Sequence, residues 1–343
     1  MYKAQIDKLH GDGVLQQLNE SLGGSLSEQW GESKIEINNG IGKGTIRSID
    51  FDWGVSFIEY DIQFNEEFTI TTTVGKTTPL VFFYISEGSL QYCCDDEGEV
   101  LELDQYQNII ISNKKYSETT VIFPKGVRVK VNFIQILKKS YLKKKNNNLE
   151  YLNQVLLPIV QDQDSSFIYY HIGNYSIQIA DQIEQLKSKS HDQGIVRSLS
   201  LEAQVNLVLA MQLTEHQNYV NKITLPDTLT IDDIKKIYEL KSFINRNISE
   251  SVTVKMLSEE SGLSSKKLQL GFQVLYSKSV NVYIREEKLN IAENLLKTSS
   301  LSISEIVYNI GFKSRSYFSK IFNERYGILP TDYRKKLKMA AVE

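Results

Sequence analysis

Arg315, Ser316, Ser319 and Lys320 fall within six consecutive positions, and their side-chain types suit one kind of chemistry. A guanidinium can grip a guanine edge or a phosphate with two bonds. A hydroxyl can give or take one bond, and an ammonium answers phosphate charge. Phe318 and Phe322 are four residues apart, so on a helix the aromatics turn inward while the polar set turns outward. A second set, Lys266, Lys267, Gln269, Leu270 and Gln273, surrounds Leu268 and Phe272 in the same phase. Leu270 is its apolar member. These nine positions are the candidate contacts to double-stranded DNA.

The two sets belong to an internal repeat. Leu268, Phe272, Tyr276 and Tyr283 stand 50 positions before Phe318, Phe322, Tyr326 and Tyr333. Leu257 and Gly262 stand 49 positions before Ile306 and Gly311, so one residue enters the turn of the second copy. Each copy reads as a helix, a glycine-centred turn and a second helix, the outline of a helix-turn-helix. Thr230 caps an expected helix over Ile231–Asn247, and Ser279 caps a long one reaching about Lys297. Ser302-Ile303-Ser304-Glu305 is a capping box, and Pro330 opens a last helix.

Charge is divided unevenly along the chain. Residues 232–343 carry 19 Lys and Arg against 13 Asp and Glu, whereas the remaining residues carry 20 against 29. A basic C-terminal part fits contact with a polyanion. The 343-residue length predicts two or three domains. No run approaches the ~18 apolar residues of a membrane span, and residues 1–13 lack the apolar stretch of a secretion signal. Cys93 and Cys94 are adjacent, a poor arrangement for a disulfide, which points to a reducing cytoplasm.

Residues 1–140 read as a β-rich domain. Between Gly44 and Gln135, short runs such as VSFIEYDIQF, LVFFYISEG and VRVKVNFIQIL are separated by turn signals. Seven or eight strands at this spacing predict a jelly roll or small cupin-like β-barrel. None of His10, His171, His191 and His216 lies in that stretch, so neither a metal site nor a cofactor is expected there. Trp53, Phe57, Tyr60, Phe82, Tyr84, Tyr92 and Tyr106 are the candidate lining of an effector pocket, or simply core. Glu59, Glu87 and Glu102 are isolated carboxylates on strands, and no nucleophile constellation accompanies them. Residues 141–217 read as helical, with an apolar face over Ile195–Thr214 that either packs on the β domain or joins two chains as a homodimer. Residues 218–230, with Pro226, read as a linker to a DNA-binding domain over 231–337.

The C-terminal third resembles the AraC/XylS family of bacterial transcription regulators. Its specific motifs are ISEIVYNIGFKSRSYFSKIF (303–322) and YGILPTDYR (326–334). KLQLGFQVLYSKSVNVYIREEKL (267–289) is similar to the siderophore-linked subgroup. Val307, Ser277 and Leu329 depart from the family's usual residues, as does Leu270 at an often polar outer position. The resemblance implies an α+β chain with two helix-turn-helix units joined by a long helix. It places base readers at Lys266, Gln269 and Leu270, and at Arg315, Ser316 and Lys320. It also implies an activator that meets RNA polymerase and answers a small-molecule effector. Two other readings stay open: an effector-independent regulator whose β domain serves dimerisation or polymerase contact, and a metal-free cupin-like enzyme fused to a DNA-binding domain.

Overall fold

The computed structural model describes residues 2–7, 13–73, 75–94, 100–144, 149, 152, 154–188, 193–221, 229–250, 252–276 and 278–340. His10, His191 and most of the expected linker lie outside them. The chain divides into two units, Met1–Thr224 and Leu225–Glu343.

The first unit contains β1 (Tyr2–Ile6), α1 (Val14–Leu22), β2 (Ser25–Gln29), β3 (Glu32–Asn38), β4 (Gly42–Phe51) and β5 (Val55–Phe64). It continues with β6 (Phe68–Thr73), β7 (Leu80–Glu87), β8 (Leu90–Cys94), β9 (Val100–Leu103), β10 (Gln107–Ser112), β11 (Glu118–Phe123) and β12 (Arg128–Ile136). After α2 (Lys138–Tyr141) and α3 (Leu156–Gln161) come β13 (Tyr169–Tyr175), α4 (Ile177–Ser188) and α5 (Gly194–Val220). One sheet runs β1-β6-β11-β8-β9 and the other β13-β10-β7-β12-β5-β4-β3-β2. The two share a core in which Phe68 and Phe123 of the smaller sheet meet Tyr60, Phe83 and Phe133 of the larger. Of the expected jelly roll or small barrel, a closed barrel does not form: there are two facing sheets, and the ladders do not join into a ring among the described residues.

The central strands of the larger sheet are buried on both faces. In β7, Val81, Phe83 and Ile85 enter the shared core, while Leu80, Phe82 and Tyr84 are buried outside that cluster. On that other face α5 meets the sheet: Asn108 Nδ2 donates to the Gln212 carbonyl at 3.0 Å, and Gln212 Nε2 donates to the Phe83 carbonyl at 3.0 Å. Leu201, Val205, Val208 and Leu209 of α5 are buried, whereas Ile195, Leu199 and Leu207 remain exposed. Within the stretch expected to be helical, Tyr169–Tyr175 is instead a strand paired antiparallel with β10. Its run of aromatic residues favours a pleated ladder, which closes that edge of β10.

Among its described residues the regular elements of the second unit are all helices: α6 (Ile231–Arg246), α7 (Val254–Ser261), α8 (Ser265–Tyr276), α9 (Val280–Thr298), α10 (Ile303–Asn309), α11 (Arg315–Tyr326) and α12 (Pro330–Ala340). Among the described residues no helix is long and apolar enough to cross a membrane.

Candidate nucleic-acid interface

Each copy of the repeat starts its second helix on a serine. The Ser264 hydroxyl accepts from the Lys267 amide at 3.3 Å, and the Ser314 hydroxyl from the Tyr317 amide at 3.2 Å. Each is preceded by a glycine with positive φ, Gly262 at 70° and Gly311 at 68°, which ends the first helix and sets the turn. The repeated aromatics are scaffold. Phe272 lies 5.4 Å from Tyr276 and 5.2 Å from Tyr283 by ring centroids. Phe322 lies 4.5 Å from Tyr326 and 5.7 Å from Tyr333.

α9 holds both halves. Gln269 Oε1 of α8 accepts from the Val280 amide at its start. Further along, Arg325 Nη2 donates to Asn290 Oδ1 and the Tyr333 hydroxyl to Glu293 Oε1, both at 2.7 Å. Hydrogen bonds from Lys297 and then Tyr333 hold the Glu293 carboxyl below the ordinary carboxylate range.

α11 buries Phe318, Ile321 and Phe322 and leaves Arg315, Ser316 and Lys320 exposed on the opposite side, with Ser319 half-buried. Lys320 and Glu324 are both exposed and 4.0 Å apart, a pair that screens readily and leaves the ammonium available. Lys313, Tyr317 and Asn323 are exposed beside this set and were not singled out from sequence. The repeat offset would have found Asn323, which stands 50 positions after Gln273.

α8 is a different surface. Lys266 and Gln273 are exposed and Leu270 is half-buried. Lys267 instead turns back to Asp233 at the start of α6, with 2.6 Å between Nζ and Oδ2. Gln269 is half-buried against the start of α9. Two of the five candidates in the first copy are therefore tied into the scaffold. Gly271 explains the tight α6–α8 crossing, because a Cβ at that position would run into Ile237 Cδ1.

The candidate effector residues do not form one group. Tyr60 and Tyr92 line an interior cavity of about 80 Å³ between the sheets, together with Phe83, Phe123 and Phe133. Burial pushes both tyrosine hydroxyls up, so they stay protonated. Phe57, Phe82 and Tyr84 are buried but do not line this cavity, and Tyr84 donates to the Ser176 carbonyl. Tyr106 is buried in the turn before β10, and Trp53 is exposed in a 3-10 turn with φ 65°. Strand parity accounts for the division, since Phe83 and its neighbour Phe82 point to opposite faces.

The isolated carboxylates have structural partners. Glu59 pairs with Arg47, Glu87 with Lys130, and Glu102 accepts from Gln91. Among the described residues no group of three or more His, Cys, Asp or Glu is placed to hold a metal ion.

Residues 257–336 match the family described as a helix-turn-helix domain. Over 103 residues, 30% of this chain and 96% of the relative, the sequence is 29% identical to the regulatory protein SoxS of Escherichia coli (strain K12). It is 28% identical over 95 residues to the HTH-type transcriptional activator RhaR of Enterobacter sp. (strain 638), covering 28% of this chain and 34% of that protein. Among solved structures, a transcriptional regulator with an AraC-type DNA-binding domain from Chromobacterium violaceum is 28% identical. That match covers 30% of this chain and 92% of the other, with a TM-score of 0.29.

Proposed function

We propose that the chain is an AraC/XylS-family DNA-binding transcription regulator, a cytoplasmic, sequence-specific activator whose paired helix-turn-helix units read two successive major-groove segments. The observation that carries this reading is the outer face of α11, where Arg315, Ser316 and Lys320 are exposed opposite a fully apolar inner face. Arg315 is suited to bidentate contact with a guanine edge, and Ser316 and Ser319 to either base or phosphate. On α8 the contacts fall to Lys266, Leu270 and Gln273. Lys267 and Gln269 act as scaffold, because the Lys267 ammonium and Gln269 Oε1 already have partners within the unit.

The two-sheet unit is read as a cupin-like jelly roll that holds a controlling effector. Among the described residues no charged side chain lines its cavity, and Thr72, Asn113, Thr119 and Gln135 supply the polar atoms other than the tyrosine hydroxyls. That lining suits a small, uncharged, mostly apolar molecule with one hydrogen-bonding group. A volume of about 80 Å³ is well below the ~300 Å³ of a typical ligand cleft, so a larger effector requires the sheets to part. The exposed apolar residues of α5 are offered to a second copy of the chain, and the bound activator meets RNA polymerase. The relatives reported above are regulators, which disfavours the enzyme reading.

Footprinting on a duplex selected in vitro by the full chain tests the central claim. Two protected major-groove segments about one helical turn apart per protomer are expected. A single protected segment per protomer would refute the two-unit reading.

A further inference from the structure

Lysine is almost never fully buried unless its ammonium is answered. Lys288, midway along α9, is only 6% exposed. Its Nζ donates to the Glu250 carbonyl at 3.2 Å and to the Gly311 carbonyl at 3.3 Å. It also stands 5.4 Å from the centroid of the Phe312 ring, whose face attracts a cation. Glu250 follows α6 in the first half of the repeat, while Gly311 is the turn between α10 and α11 in the second. The two loops touch directly: a Cβ on Gly311 would run into the Ser249 carbonyl, so only glycine permits this approach.

α9 by itself sets a separation along its axis. Its Tyr283 meets Phe272 of α8, and its Leu289, Ala292 and Leu296 join the core with α10 and α11. The freedom that remains is a small rotation of either half about α9, which would change the phase between α8 and α11. A tie placed away from the axis, between the loops, removes that freedom.

We propose that Lys288 is a positioning residue for DNA recognition: its ammonium clamps the Glu250 and Gly311 loops together and fixes the phase between α8 and α11. Three tetrahedral donors on a flexible stem suit two carbonyls from different loops. Methionine would fill the space and leave both carbonyls without this donor. The proposal rests on the two-unit reading for its purpose, but its geometry can be tested without DNA.

The test uses the full chain with Cys93 and Cys94 changed to Ser and spin labels on Gln273→Cys and Asn323→Cys. Double electron–electron resonance should give one narrow distance for Lys288 and for K288R, and a broadened or shifted distribution for K288M. An unchanged distribution in K288M overturns the clamp. K288Q, which can reach one carbonyl but not both, gives the same comparison if K288M fails to fold.

A DNA readout separates phase from stability. Inserting two base pairs between the protected segments should weaken wild-type binding about tenfold or more, as the second contact loses its effective concentration. K288M should lose most of that spacing penalty while binding an isolated segment normally. Equal weakening on both duplexes would mean that Lys288 serves stability alone and would overturn the proposal. If the wild-type chain protects only one segment, the two-unit reading fails, and the distance measurement still decides the clamp.

Discussion

Asp233 distinguishes scaffold from reader in the first repeat. Its carboxylate accepts from the Thr230 amide at 2.9 Å, closing the capping box of α6, and from Lys267 Nζ at 2.6 Å. The Asp233 side chain is 6% exposed and that of Lys267 38%. The cap contributes about 1 kcal/mol. The ion pair contributes about 1 kcal/mol at most, after discounting for the solvent that screens Lys267. Asp233→Ala should therefore cost about 2 kcal/mol, Lys267→Met about 1, and the double variant about 2 rather than 3, because the pair is lost only once.

Hydrogen exchange of the α6 amides in the full chain reads these costs, with about thirtyfold faster exchange for Asp233→Ala if α6 opens as a local unit. Acid provides a second readout. Burial pushes the Asp233 carboxyl up, but the bonds from Lys267 and Thr230 outweigh it, and the pKa lies below its ordinary 3.8. Between the two values the unfolded chain binds the proton and the folded chain does not, so stability rises with pH there. The contribution is complete above 3.8 and is lost as pH falls through the lowered folded value. If Lys267→Met left α6 protection unchanged yet relaxed recognition at a single base pair, Lys267 would be a reader and this assignment would be wrong.

Four further outcomes follow from the geometry. Arg315→Ala should cost about 1–3 kcal/mol on the selected duplex and relax recognition at one position. A phosphate role for Lys320 would instead weaken all duplexes alike and reduce the salt slope by about 1, so a salt series on selected and scrambled DNA decides between the two contact types. Gly271→Ala should destabilise the second unit by about 1 kcal/mol or more, because overpacking against Ile237 exceeds the gain in helix propensity. Thermal unfolding of Gly271→Ala with Ile237→Val should recover part of that loss; stabilisation by Gly271→Ala alone would contradict the close crossing. Burial, and then the neighbouring His171, push His216 down to about 4, and burial lowers His171. An unfolded chain would protonate both near 6.5, so the β-sheet unit should lose about 1 kcal/mol or more between pH 7 and pH 5 in urea titrations. A flat profile there would show that the rings are solvated.

The helical unit was legible because its signals are local. Thr230, Ser279 and Ser302 accept from backbone amides within their own first turns, and Gly262 and Gly327 end α7 and α11 in the left-handed conformation. The β unit was less legible because its decisive relations are long-range. Phe133 lies opposite Phe83 across β12 and β7, and that register decides which aromatic residues reach the cavity. Alternation in VRVKVNFIQIL indicated two faces without telling which strand met which. β13 illustrates the same limit, since its ladder partners lie 57 to 68 positions earlier in β10. Within the helical unit, the fates of Lys267 and Gln269 were equally hidden: both occupy the outer phase of α8, and only the placement of α6 and α9 draws their polar ends inward.

Those two fates bear on how the repeat came to be unequal. At matching positions, 50 residues apart, Lys267 answers Asp233 where Tyr317 is exposed, and Leu270 stands where Lys320 is exposed. Gly271 stands where Ile321 packs into the core around α9, α10 and α11. The first copy thus commits its recognition helix to α6, which packs on it from outside the pair. In the second copy α9 holds that place before α10, packing into the same core, yet the outer side of α11 stays polar and exposed. In the first copy Asp233 of α6 draws in Lys267 and the start of α9 draws in Gln269, away from the outer surface of α8. Strong base discrimination is therefore expected from α11, with α8 contributing fewer polar contacts at a phase set by Lys288. Variants at Lys266 and Gln273 that relaxed sequence recognition as much as variants at Arg315 and Lys320 would contradict this division.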